Sequence, residues 1–168
     1  MNQIHGGLLG FGEYHGTHIR KGVVIEEFVD KNLVVNEGLD ALLDIMFNAA
    51  TQITTWYIGV FEANYTPVAT VTAATITAAS TESTAYDEAT RVEYTEAAAS
   101  SQSTTNSASR ATFTFNATKT IYGAFLVSAS AKSATTGTLF SAAAFSVSKA
   151  VVSSDELLLT YTFTAASA

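Results

Sequence analysis

Three histidines, His5, His15 and His18, are the first residues in this chain that could do chemistry. The step His15-Gly16-Thr17-His18 offers two imidazoles to a metal ion. Gly16 leaves them without a fixed geometry, however, and no third ligand stands nearby. No metal site is expected. Ser-His-Asp catalysis needs a histidine inside the folded body, held between a hydroxyl and a carboxylate. All three histidines precede residue 19, in a Gly-rich stretch. Glu82, Asp87, Glu88, Glu93 and Glu96 cluster as the paired carboxylates of a glycosidase do. Only Tyr86 and Tyr94 accompany them as sugar platforms, so an acidic solvent edge is the plainer account. Arg91 lies between those tyrosines with Asp87 and Glu88 close by, which favours a local salt bridge or cation–π stack. No glycine-rich segment leads into the Lys-Ser/Thr of a phosphate loop. With no catalytic set and no cofactor expected, the chain reads as non-enzymatic.

The elements that would carry these residues are mostly strands. Gly22–Val29 and Asn32–Val35 are β-branched runs separated by Asp30-Lys31, and from residue 54 the pattern takes a period of two. In Thr54–Phe61, Trp56, Ile58 and Val60 share one face while Tyr57 and Phe61 share the other, so this strand should be covered on both sides. Trp56 is read as a core anchor. Further strands are expected at Arg91–Tyr94, Ala111–Asn116, Ile121–Ser128, Thr138–Phe145 and Leu157–Thr164. The last shows the clearest alternation: Leu157, Leu159, Tyr161 and Phe163 face a core, and threonines face water.

One helix is expected, over about residues 36–48. Asn36 is a good N-cap type, and Glu37 and Asp40 suit the positive end of the helix dipole. Leu39, Leu42, Leu43, Met46 and Phe47 form one apolar stripe at i, i+3, i+4, i+7 and i+8, which predicts that this face is buried. Gly38, in the first turn, disagrees with the assignment. Residues 62–85, with Pro67, and the polar run 97–109 show no clear period.

Residues 1–21 are read as an extended arm, since glycine weakens helix and strand alike. Leu8, Leu9, Phe11 and Tyr14, set among Gly6, Gly7, Gly10, Gly12 and Gly16, suggest an arm that docks on another subunit. The fold class that follows is mainly β. It is an antiparallel sandwich or barrel over residues 22–168 with one N-terminal helix, preceded by the arm.

The bulk composition narrows the function classes. The net charge of −7 argues against nucleic acid, which needs clustered Lys and Arg. No run of about 18 apolar residues is present, so no membrane span is expected. The absence of cysteine fits folding in a reducing cytoplasm, and the N-terminus lacks a signal-peptide pattern. Charged residues make up only 14% of the chain, a composition suited to a surface partly hidden against other subunits. Residues 1–100 carry four basic and thirteen acidic side chains, and residues 101–168 carry four and two. That asymmetry allows either a solvated acidic face or a head-to-tail contact between unlike potentials.

Several segments resemble a family encoded among the head genes of tailed bacteriophages. They are Asn32-Leu-Val-Val-Asn-Glu-Gly-Leu-Asp-Ala-Leu-Leu-Asp44, Thr51-Gln-Ile-Thr-Thr-Trp-Tyr-Ile-Gly59, Thr84-Ala-Tyr-Asp-Glu-Ala-Thr-Arg91, Ser101-Gln-Ser-Thr-Thr-Asn-Ser-Ala108, Ile121-Tyr-Gly-Ala-Phe-Leu-Val127 and Tyr161-Thr-Phe-Thr-Ala165. The resemblance spans roughly residues 32–165. It implies a virion protein bound outside the capsid shell, a decoration or cement protein, with the major capsid protein and further copies of itself as partners. A trimer is the favoured oligomer, because closed three-fold symmetry matches the sites where capsid subunits meet. A tail, connector or head-fibre component remains an alternative. So does a carbohydrate- or host-binding β module, which would need Tyr57, Tyr65, Tyr86 and Tyr94 to converge.

Overall fold

The protein is described from a computed structural model over residues 8–167; the side chains of Leu8, Leu9 and Ser167 lie outside the described residues. Strands take 48% of the described residues against 13% in helix, which makes the protein mainly β, a sandwich-like fold with no closed barrel among those residues. In chain order the elements are β1 (Leu8–Arg20), β2 (Val23–Lys31), β3 (Leu33–Val34), α1 (Asn36–Phe47), β4 (Trp56–Phe61), α2 (Ala73–Ser80), β5 (Val92–Tyr94), β6 (Ser103–Thr105), β7 (Ala111–Thr114), β8 (Lys119–Val127), β9 (Leu139–Val151) and β10 (Glu156–Ser167). The first sheet runs β2-β1-β10-β6, with β7 also paired to β10. The second runs β3-β9-β8-β4-β5. All pairings are antiparallel.

The main core lies between the sheets. Tyr14, Phe113, Leu157, Leu159 and Tyr161 from the first sheet meet Ile58, Val60, Ile121, Leu126 and Phe145 from the second. A second core covers the other side of the second sheet, where Phe61, Phe125, Val127 and Leu139 pack on Val71, Ala73 and Ile76. β4 is therefore sandwiched, as its two apolar faces require: Ile58 and Val60 enter one core and Phe61 the other.

Three expectations are corrected here. Residues 8–20 are not an arm. They form a strand hydrogen-bonded on one side to β10 and on the other to β2, and Tyr14 is fully buried. The glycines serve packing: a Cβ on Gly16 would fall 2.0 Å from the Phe28 ring, so glycine here makes room for an aromatic side chain. Residues 1–7 of the expected arm, including His5, lie outside the described residues. The second correction is that the described residues hold two helices, not one. α2 arises in the Ala/Thr-rich stretch, where the Thr72 N–H donates to the Thr75 hydroxyl at 3.1 Å.

The third correction concerns α1. It begins at Asn36, and the N-cap position is Val35, with no side-chain cap bond. Its register on the sheet is rotated from the expected one. Gly38 is buried, and a Cβ there would sit 2.3 Å from the Phe140 carbonyl oxygen, so the helix lies directly on the β9 backbone at that point. Ala41, Leu42 and Ile45 share that inner face. Leu39, Leu43, Met46 and Phe47 point outward, 43%, 52%, 67% and 81% exposed.

Candidate functional site

The acidic cluster resolves into separate structural contacts. Glu82 takes a bidentate contact from Arg91, with Nε and one terminal nitrogen each at 2.8 Å from its two oxygens, and it also accepts the Ser133 N–H. Arg91 donates further to the carbonyls of Ala129 and Ala134 and lies over the Phe125 ring. The expected salt bridge and cation–π contact therefore exist, with Glu82 and Phe125 as partners in place of Asp87, Glu88 and the tyrosines. Glu88 accepts the Thr114 N–H, and Asp87 accepts from the Asn116 side chain. Glu93 and Glu96 are exposed.

His15 and His18 do not share a site. His15 is at the surface against Glu13, whereas His18 is buried with Nε2 at 2.8 Å from Asp155. A histidine does sit inside the body after all, because β1 belongs to the sheet. Asp155 also binds the Arg20 guanidinium and the Val152 N–H. Those contacts, Arg20 first, hold its carboxyl far below the usual carboxylate range against the opposing effect of burial. The cluster ties the β9–β10 connection to β1. Among the described residues, no three His, Asp or Glu side chains are grouped to hold a metal.

The four tyrosines do not converge. Tyr86 and Tyr94 are buried in the main core. Tyr65 packs edge-on against Phe61 in the second, and half-buried Tyr57 lies on β4. Of the other residues singled out by the sequence, Tyr161 is buried, while Trp56 and Phe163 are half-buried against the core. Phe11 is exposed on β1. Leu42 is half-buried beneath α1, whereas Leu39, Leu43 and Phe47 are surface residues and not core.

Two features remain that a purely structural account leaves without use, and both involve α1. Its outer stripe places four large apolar side chains in water, flanked by Asp40 and Asp44. Soluble helices ordinarily turn such a stripe inward, and a contiguous exposed apolar patch marks an interaction surface. The helix is nonetheless firmly placed. Glu37, in its first turn, accepts the Ala73 N–H at 2.8 Å and the Leu139 N–H at 2.7 Å, joining α1 to the start of α2 and to β9.

The second feature is a pocket of about 230 Å³ under the inner face of α1. Ala41, Leu42 and Ile45 form its roof; Trp56, Tyr94, Phe140, Tyr161 and Phe163 line its walls. The aromatic walls are braced edge-to-face, with centroid separations of 5.7 Å for Trp56–Phe140, 5.2 Å for Phe140–Phe163 and 5.7 Å for Tyr94–Tyr161. The Tyr94 hydroxyl is buried and makes no hydrogen bond of normal geometry, with the Thr104 side chain as its one polar neighbour. Burial pushes its ionisation up to about 12, with the nearby Thr104 hydroxyl opposing that rise. Thr104 itself donates to the Ala97 carbonyl. Sequence periodicity found the aromatic strands but not this pocket, because it depends on which face α1 turns down. No protein-family model and no curated protein sequence matches this chain.

Proposed function

We propose that this chain is a non-enzymatic structural protein of a tailed-phage virion, bound outside the head as a symmetric oligomer that strengthens the capsid. The observation that carries the reading is the outward apolar stripe of α1. Leu39, Leu43, Met46 and Phe47 stand on a helix held in place by Glu37, so the patch is a fixed surface and not a frayed end. Burying such a stripe against further copies of the chain removes apolar area from water at about 25 cal/mol per Å². The resemblance to phage head proteins adds support, since its Asn32–Asp44 segment runs through this same helix.

A trimer suits the role, because closed symmetry fits the local three-fold junctions of a shell. Each protomer then bridges neighbouring copies of the major capsid protein. An oligomer touching several subunits gains from effective concentration, so modest individual contacts add to a firm clamp.

The test is to add purified protein to undecorated heads and measure the temperature at which they release DNA. Saturable binding and a raised release temperature are expected, rising with protein concentration until the sites fill. A Phe47→Lys variant, folded by circular dichroism, should sediment as a smaller species and lose the effect. Heads that ignore the protein, or a label found only on tails, would instead assign it to a tail, connector or fibre.

A further inference from the structure

We propose that the pocket beneath α1 binds a small planar aromatic molecule carrying one hydrogen-bonding group, of the substituted-phenol class. This inference is independent of the virion reading. The size suits one substituted ring or a compact pair of rings: an apolar cavity of roughly 150 Å³ accepts benzene, and this pocket is about 230 Å³. The chemistry of the walls selects the class. Aliphatic groups from Leu42, Ile45 and Ile53 line it together with five aromatic rings, and such a surface favours a flat, weakly hydrated ligand that can stack or meet ring edges. A sugar is disfavoured, because each of its hydroxyls needs a partner on burial and polar side chains enter the lining only through Gln52, Glu96, Thr104 and the two tyrosines.

The single polar group on the ligand is argued from Tyr94. Its hydroxyl is buried in the pocket wall, where the Thr104 side chain is its one polar neighbour and no hydrogen bond of normal geometry is made, an arrangement that buried polar groups seldom retain. A tilt of the ring that carries the hydroxyl from Thr104 to a ligand oxygen gives it a hydrogen bond of normal geometry. The Tyr161 hydroxyl is already engaged, accepting from Asn32 at 2.9 Å with Ser141 at 3.3 Å. The position is well supported from behind, since the lining side chains stand on β4, β5, β6, β8, β9 and β10 as well as α1. A site on strands and a pinned helix keeps its shape without the ligand.

The probe is 4-fluorophenol, titrated into the full chain and followed by two signals. One is its fluorine resonance. The other is the emission of Trp56, the only tryptophan in the sequence and a residue of the pocket wall, excited where the phenol does not absorb. Both signals should change saturably with one midpoint. Ala41→Leu fills the space under the roof and should weaken binding at least about tenfold, the effect of one lost methylene-scale fit or more. Tyr94→Phe should weaken 4-fluorophenol about fivefold, as the loss of one hydrogen bond does, yet leave fluorobenzene unchanged. If Ala41→Leu loses its β-sheet spectrum, Ile45→Phe serves as the filling variant. The proposal is overturned by an unsaturable response in both signals, by binding that neither filling variant alters, or by equal loss of both probes in Tyr94→Phe.

Discussion

Replacing Arg91 with methionine tests how far the fold depends on one buried ion pair. Methionine keeps much of the stem and removes the charge and every guanidinium N–H. The Arg91 and Glu82 side chains are 0% and 1% exposed, so water cannot take over when the cation is lost. Glu82 would retain only the Ser133 N–H, and the carbonyls of Ala129 and Ala134 would lose their side-chain donors. Breaking a buried pair by removing one partner costs about 3–5 kcal/mol, because the other charge stays buried and unpaired. For a chain of this length, each kcal/mol shifts the melting temperature by about 2–4 °C, so Arg91→Met should melt roughly 6–20 °C lower. The double variant Glu82→Gln/Arg91→Met removes the stranded charge and should recover a large part of that loss, a non-additivity expected of partners in contact. Urea unfolding followed by circular dichroism, at one fixed protein concentration, reads both effects. A single-variant loss below about 1 kcal/mol, or a double variant whose losses simply add, would refute the account of Arg91 as the closed centre of this cluster.

Two further outcomes follow from contacts elsewhere in the fold. Asp155→Asn should lower stability at neutral pH and narrow its deficit in acid. A depressed folded-state ionisation stabilises the protein above the unfolded value, about 3.9, and that contribution is lost as pH falls through the folded one. Urea unfolding over a series of acidic buffers checks it; parallel curves for the two proteins would count against the Arg20–Asp155–His18 contact as a source of stability. Gly38→Ala sets helix propensity, worth about 1 kcal/mol in favour of alanine, against a methyl placed 2.3 Å from a backbone oxygen. Overpacking of about 1–3 kcal/mol should win, giving a lower melting temperature, and a more stable variant would show that α1 is free to lift from β9.

Much of the sheet could be read from periodicity because a strand between two layers leaves its alternation in the sequence. The expected runs at 54–61, 91–94, 121–128 and 157–164 fall on β4, β5, β8 and β10. β1 could not be read this way. Its glycines carry no side chain to show a face, and their reason for being there, the rings of Phe28 and Phe163, lies on other strands. α2 was hidden for a different reason. Its Ala/Thr sequence has little difference between faces, so its burial of Ile76 comes from the surface it meets and not from a stripe of its own. The ionic contacts were legible only in part. Arg91 needed a local acid, and the sequence offered several; Glu82 took the role because the chain folds it back beside β4, where it bridges Phe61. His18 and Asp155 are 137 positions apart, beyond any local pattern.

The helix is where sequence and structure part most usefully. On hydrophobicity alone, Leu39, Leu42, Leu43, Met46 and Phe47 are the better core face. Docking is decided instead by closeness of approach: Gly38 is the one position of the first turn whose lack of a Cβ allows backbone contact with β9, and turning that residue down brings Ala41, Leu42 and Ile45 down with it. Small residues near the start of that face bring the helix close, and the space left further along is the aromatic-lined pocket. The larger side chains are then turned to water by geometry. A helix that is apolar on both its inner and outer faces ordinarily occurs where it is buried on both. Among the described residues only the inner face of α1 has a neighbour, and the outer face is the surface on which the assembly reading rests.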